Sequence, residues 1–266
     1  MARITVVTNN KGGVAKTTTA VNLAAALRLR GFDVLCIDLD GQRNLTDTFG
    51  IDTDGGGGTT YDTLKEPLTP YVQPVRVLPS EGKGVGVLDV LPATRDLWAL
   101  EVMLSNAPDR VTRLRSVTDK YRDKYDVILI DTTPTLGLLS ISALYAADNA
   151  VITSNADFLS SRGLVTLRGT IDGVNANRTV PLEFQILFCK FDRRKGLHRL
   201  TVEQVRASGF PTFDTLIRDN VALSEAPAAV TDIFRYAPRS YGAQDYAAFA
   251  DEFVRAYKVR HLNHKH

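Results

Sequence analysis

The chain has 266 residues, 44% hydrophobic and 23% charged, with a formal net charge of +2. That length permits a sizeable core, and the composition is ordinary for a soluble globular protein. Near-balanced charge excludes a polycation that binds nucleic acid with its whole surface, and no apolar run reaches the ~18 residues needed to span a bilayer.

In chain order, the N-terminus "MARITVVTN" enters a strand-like run (3–8) at once, without the basic and apolar regions of a secretory leader. "NNKGGVAK" follows as a glycine-containing turn, and "TTTAVNLAAALRLRG" (17–31) reads as a helix closed by Gly31. Further strand-like runs lie at 33–38, 86–91, 125–131, 149–154 and 182–189. Most are continuous Val/Ile/Leu runs rather than alternating ones, the pattern of strands buried on both faces. Strand and helix in alternation predict an α/β fold, a doubly wound and mostly parallel sheet. "DTDGGGGTT" (52–60) and "EGKGVG" (81–86) read as surface loops, and no linker divides the chain, so one domain is expected over 1–266. Cys36 and Cys189 sit inside apolar runs and read as buried small hydrophobes of a reducing, cytoplasmic compartment. The last helix-like segment, 241–258, carries Tyr246, Phe249, Ala250, Phe253, Val254 and Tyr257 at helical spacing. Such a stripe predicts packing on the parent domain; a helix lying on a membrane is the alternative, because a basic tail (about 258–266) follows. The tail and "KFDRRKGLHR" (190–199) are the two local basic patches that could meet nucleic acid.

The turn after the first strand has the form of a phosphate loop. A strand ends, the backbone turns, and successive N–H groups and the positive end of the next helix face an anion. The usual pattern G-x-x-x-x-G-K-[ST] requires glycine where this chain has Asn10 and Ala15. Gly12 and Gly13 let the backbone approach the phosphates, Lys16 reaches the β- and γ-phosphates, and Thr17 completes a Mg²⁺ shell. Asp38 and Asp40 end one predicted strand and Asp131 another, at the edge where ligands gather in a parallel sheet. Asp131 can hold the metal and Asp40 can orient an attacking water. All four histidines (His198, His261, His264, His266) fall in the basic loop or tail, which argues against a Ser-His-Asp constellation, and no Cys/His spacing suits zinc.

"KGGVAKTT" resembles the deviant Walker A motif of the ParA/MinD superfamily, K-G-G-x-x-K-[ST]. There Lys11 matches the signature lysine, and Asn10 and Ala15 are both permitted. "DLDGQRNLT", "LPATRDL", "LIDTTPTLGLLSISALYAAD" and "NVALSEAP" are similar to further family segments, so the resemblance covers most of residues 3 to 250. It implies a P-loop ATPase that binds ATP and Mg²⁺ and forms a homodimer on ATP binding. Lys11 would act in trans and Lys16 in cis, with Gly12, Gly13, Val14, Ala15, Thr17 and Thr18 around the phosphates. Thr17, Asp131 and Asp40 match the metal and switch positions, and Asn220 a base-contacting asparagine. Slow turnover is stimulated in the family by a ParB-like or other adaptor. The chain departs from the pattern at Gly41, Thr133 and Arg218, where prolines are usual. Ala222 stands where related partition ATPases often carry a DNA-contacting arginine. Arg194 matches another such basic position, with Arg193, Lys195 and Arg199 around it.

The branch expected from whole-chain similarity is a short ParA/Soj-type partition ATPase. It would bind DNA non-specifically and position a plasmid, chromosome origin or protein cargo, associating with the nucleoid when ATP-bound. The phosphate loop begins so near the N-terminus that no helix-turn-helix is expected before it. A MinD-like membrane ATPase is the alternative, although Asp245, Asp251 and Glu252 interrupt the final helix and no stable membrane association is expected. A metal-cluster carrier would need interface cysteines, which Cys36 and Cys189 do not suit.

Overall fold

The computed structural model describes residues 1–54, 58–66, 72–79 and 84–262, with the backbone alone over 158–162. Parts of the expected loops at 52–60 and 81–86, and the end of the basic tail with His264 and His266, lie outside these residues.

The first half of the chain runs β1 (Arg3–Thr8), α1 (Lys16–Arg28), β2 (Val34–Asp38), α2 (Asn44–Thr48), α3 (Thr60–Lys65), β3 (Val75–Leu78), β4 (Leu88–Leu91), α4 (Leu97–Leu104), α5 (Arg113–Asp119) and β5 (Val127–Asp131). The second half runs α6 (Leu138–Ala146), β6 (Asn149–Asn155), α7 (Phe158–Asn175), β7 (Glu183–Cys189), α8 (Gly196–Ala207), α9 (Val221–Glu225), a 3₁₀ turn (Ala226–Ala229), α10 (Ile233–Tyr236) and α11 (Tyr241–Ala256). The strands form one sheet in the order β3-β4-β2-β5-β1-β6-β7. Every neighbouring pair is parallel except β3–β4.

The continuous apolar strands are buried on both faces, as their composition predicts. Along β2, Leu35 and Ile37 enter the core beneath α4 to α7, while Val34 and Cys36 enter the core beneath α1 and α11. Alternation along an extended strand sends successive side chains to opposite faces, so one run feeds two cores. Both cysteines are free and buried.

Several element ends lie one to three residues from the sequence reading, and one strand was not expected. The helix expected over 17–31 ends at Arg28, and Gly31 lies beyond it with φ +86°. The strand expected over 86–91 begins at Leu88; the Gly86 N–H donates to Arg28 O rather than into the sheet. β3 was not expected at all: it is a short antiparallel edge strand with Val75 and Arg76 exposed, so neither burial nor alternation marks it.

α11 lies against α1 and buries Tyr246, Phe249, Ala250 and Phe253. Phe249 meets Phe213 edge-on at 4.9 Å, and Phe253 meets Tyr257 at 5.2 Å. The apolar stripe is therefore core, and Ser240 caps the helix by accepting from the Ala243 N–H. The following segment does not fray through Leu262: His261 stacks on Phe32 at 4.0 Å, and the Leu262 N–H donates to Asp126. Among the described residues, no helix is long and apolar enough to cross a membrane.

Candidate nucleotide site and basic surface

The parallel order brings the carboxyl ends of β1, β2 and β5 side by side, with Asp38 in register with Asp131 and Asp131 with Val7. The loop after β1 is tied down by Asn9, whose side-chain amide donates to Thr153 O at 2.5 Å and whose carbonyl accepts from the Lys11 N–H at 3.1 Å. It then makes two left-handed turns, at Gly13 (φ +72°) and Ala15 (φ 64°, ψ 32°). Gly13 enters that region freely, whereas Ala15 pays about 1–2 kcal/mol for its β-carbon. A Cβ built at Gly12 or Gly13 meets no atom within 4 Å, so the space beside both glycines is open. α1 then starts with no side-chain cap and no acidic residue in its first turn. Its unpaired N–H groups are left for an anion.

Lys16 is 7% exposed, and its ammonium donates to Lys11 O at 3.0 Å. Burial lowers its pKa, and the charges of Asp131 and Asp40 oppose that shift. Thr17 Oγ1 donates to Asp131 Oδ2 at 2.6 Å, while Asp131 Oδ1 is buried without a hydrogen-bond partner among the described residues. Burial, aggravated by Asp38, pushes the Asp131 carboxyl well above its usual range, and Asp38 rises to about 6 mainly through its own burial. An orphaned carboxylate oxygen beside a threonine hydroxyl, in a cluster of buried acids, is a hard-oxygen set that fits Mg²⁺.

The two acids of "DLD" have separate tasks. Asp38 accepts from the Asp40 N–H at 3.1 Å, the Thr46 N–H at 3.0 Å and Thr46 Oγ1 at 2.6 Å, so it anchors the segment. Asp40 lines the cleft, accepts from the Gln42 N–H at 2.9 Å and begins a turn closed by Arg43 N–H to Asp40 O at 2.9 Å.

The cleft measures about 500 Å³ and reaches from Gly13, Lys16 and Thr17 to a far wall containing Asn220 and Leu223. Asn220 caps α9, its side-chain oxygen accepting from the Ala222 N–H at 3.0 Å. Sequence reasoning missed Lys190, Ile217, Asp219 and Pro227 on this wall. Lys190 opens the basic segment and Pro227 closes "NVALSEAP", so both lie in stretches the sequence had marked without assigning them to the cleft, whereas Ile217 and Asp219, on either side of Arg218, carry no signal of their own. Arg218 is held by Asp245 at 2.6 Å and lies 4.0 Å from the Tyr241 ring centroid.

Lys11 diverges from Lys16. Its ammonium pairs with Asp157 at 3.3 Å, and both side chains are 40% exposed. Val14 is fully buried and Thr18 lines the cleft, its carbonyl held by the Asn22 amide at 2.7 Å.

At the expected DNA surface, Arg193, Lys195 and Arg199 are exposed around the start of α8. Arg194, 89% exposed, is paired at the surface: its guanidinium donates to both oxygens of Asp192 at 3.0 Å, and this contact holds the Asp192 carboxyl down to about 2.

Residues 2–184 match a protein-family model described as an AAA domain. The chromosome partitioning protein ParA of Myxococcus xanthus is 36% identical over 261 residues, 96% of this chain and 89% of the relative. The sporulation initiation inhibitor protein Soj of Bacillus subtilis is 36% identical over 254 residues, 95% of this chain and 98% of the relative. A crystal structure of cobyrinic acid a,c-diamide synthase from Mycobacterium smegmatis with bound ADP and magnesium superposes with a TM-score of 0.82 at 30% identity, covering 97% of this chain and 96% of that one.

Proposed function

The chain belongs to the ParA/Soj family of P-loop ATPases, and from that premise we propose that it is a partition ATPase that dimerises on ATP and holds DNA without sequence preference. The cargo is a plasmid, a chromosome origin or a protein assembly. The observation that carries the nucleotide chemistry is the Thr17–Asp131 pair, with one orphaned carboxylate oxygen, beneath an uncapped helix N-terminus.

Thr17 and Asp131 would hold Mg²⁺, which neutralises phosphate charge when bound. Lys16, already desolvated, gives up its bond to Lys11 O for the phosphates, and the backbone N–H groups of Gly13 to Thr17 cradle them. Asp40 orients the attacking water. Phosphoryl transfer needs positioning and charge stabilisation more than a strong base, which suits this inventory. Lys11 reaches the partner's phosphates once it leaves Asp157, the device of an arginine finger. Asn220 contacts the base from the far wall. A ParB-like adaptor stimulates turnover, and the exposed Arg193, Lys195 and Arg199 supply charge to DNA.

The test uses Asp40→Ala protein with ATP or ADP, duplex DNA of arbitrary sequence and anionic lipid vesicles at two salt concentrations. ATP-dependent DNA binding that weakens steeply with salt is the expected result. Binding to vesicles but not to DNA would replace this reading with a membrane-positioning one and would require α11 to leave its core.

A further inference from the structure

Between Asp40 and Gln42 the chain carries Gly41, and the reason for glycine lies in another element. A Cβ at Gly41 would stand 2.6 Å from Nε1, 2.8 Å from Cδ1 and 2.9 Å from Cε2 of Trp98. The backbone itself makes no such demand, because Gly41 is not among the residues of positive φ. The indole is what excludes a side chain.

Trp98 comes from the first turn of α4, which follows β4, the strand beside β2. Leu97 and Leu100 are buried, which fixes the rotation of α4 and turns Trp98 outward over the turn. The connecting segment is tied to the same turn from below. The Ala93 N–H donates to Thr46 Oγ1 at 2.9 Å, and that hydroxyl donates in turn to Asp38. The Asp40–Arg43 turn is thus held on one side by the Asp38–Thr46–Ala93 chain and covered on the other by an indole that is half exposed. Among the described residues no hydrogen bond from the indole fixes the turn; the constraint is steric and apolar.

We propose that Trp98 is a positioning residue for hydrolysis: by packing on Gly41 it holds the turn so that the Asp40 carboxylate keeps its place in the cleft. This rests on the role given to Asp40 above. Trp98 touches neither phosphate nor metal position, so its loss acts on turnover rather than on nucleotide affinity. A displacement near 1 Å at a water-orienting group is enough to slow a reaction substantially.

The experiment measures kcat and KM for ATP in wild type, Trp98→Ala, Trp98→Phe, Gly41→Ala, the Gly41→Ala/Trp98→Ala double variant and Asp40→Ala. Trp98→Ala is expected to lower kcat about tenfold and leave KM within about twofold, and Trp98→Phe to retain most of the turnover. Gly41→Ala, by pushing the indole outward, is expected to lose a comparable factor. The double variant is then no slower than Trp98→Ala alone, because the two changes remove one contact. Trp98 is the chain's one tryptophan; its emission in Gly41→Ala shifts to the red as the ring enters water. Wild-type kcat in Trp98→Ala beside an inactive Asp40→Ala would overturn this inference alone, as would losses that multiply in the double variant. Full turnover in Asp40→Ala would overturn the Asp40 role and this inference with it.

Discussion

The carboxyl edge of the sheet and the segment from Phe191 into the first turn of α8 both present cations, but they hold them in different ways. At the sheet edge Lys16 is buried, bonded to the loop's own carbonyl and set near Asp131 and Asp40. In the basic segment Arg193, Lys195 and Arg199 stand in solvent, and Arg194, equally exposed, pairs with Asp192. Chemistry at a phosphate needs charges that are desolvated and aimed, since their effect grows as water is excluded. Attachment to a polyanion needs only summed charge, which salt screens within about 8 Å at physiological strength. The first arrangement leaves a specific signature in the chain, and the second leaves only composition.

The largest effect expected is at the buried edge. Lys16→Ala should weaken ATP binding by about 100-fold, the loss of a charge-assisted hydrogen bond to phosphate, as measured by calorimetry. Binding within a few-fold of wild type would erase the contrast between the two regions.

In the exposed loop the effects are smaller and run both ways. Arg194→Glu should weaken DNA binding several-fold, whereas Asp192→Ala should release Arg194, strengthen binding and steepen the log–log salt dependence by about 0.9. A titration of fluorescent duplex at several salt concentrations reads both, and an unchanged slope in Asp192→Ala would place the DNA surface elsewhere.

A third measurement concerns the acids beneath the site. Asp38 has its carboxyl raised by burial from 3.8 to about 6, so between those values the folded state holds a proton that the unfolded chain releases. Its contribution is therefore full below pH 3.8 and is lost as the pH rises through about 6. Without nucleotide, the Tm advantage of wild type over Asp38→Asn should be greatest near pH 4 and shrink by several degrees by pH 7. A difference independent of pH would mean that Asp38 is not protonated preferentially in the fold.

The smallest effect belongs to Ala15→Gly. Relief of the left-handed strain, about 1–2 kcal/mol, is mostly offset by the greater freedom of glycine in the unfolded chain. Thermal melts should show a rise of no more than about 3 °C. A fall in Tm would show that the methyl group makes favourable contacts that outweigh its strain.

Much of the site was legible because its parts are local. The loop from Asn9 to Thr18 is one uninterrupted stretch, and Asp38 and Asp131 each end an apolar run that reads as a buried strand, with Asp40 two residues beyond the first. The stripe of α11 was legible as core for the same reason, its period being that of the helix. β3 was not legible, since an edge strand with exposed Val75 and Arg76 carries no pattern. Nor was the capture of Arg194 by Asp192: a sequence shows that opposite charges are near along the chain, not which rotamers meet.

By itself, then, the sequence determined the α/β class through the periodicity of its apolar runs and the family through the resemblance of its contiguous motifs, and it offered candidates for the residues that would face phosphate. Only the tertiary structure decided that Asp38 anchors while Asp40 faces the cleft, that Lys11 leans on Asp157, and that Gly41 is glycine because of Trp98. Each of those outcomes depends on which side chains from different elements come within a few ångströms, and separation along the chain carries no record of that distance.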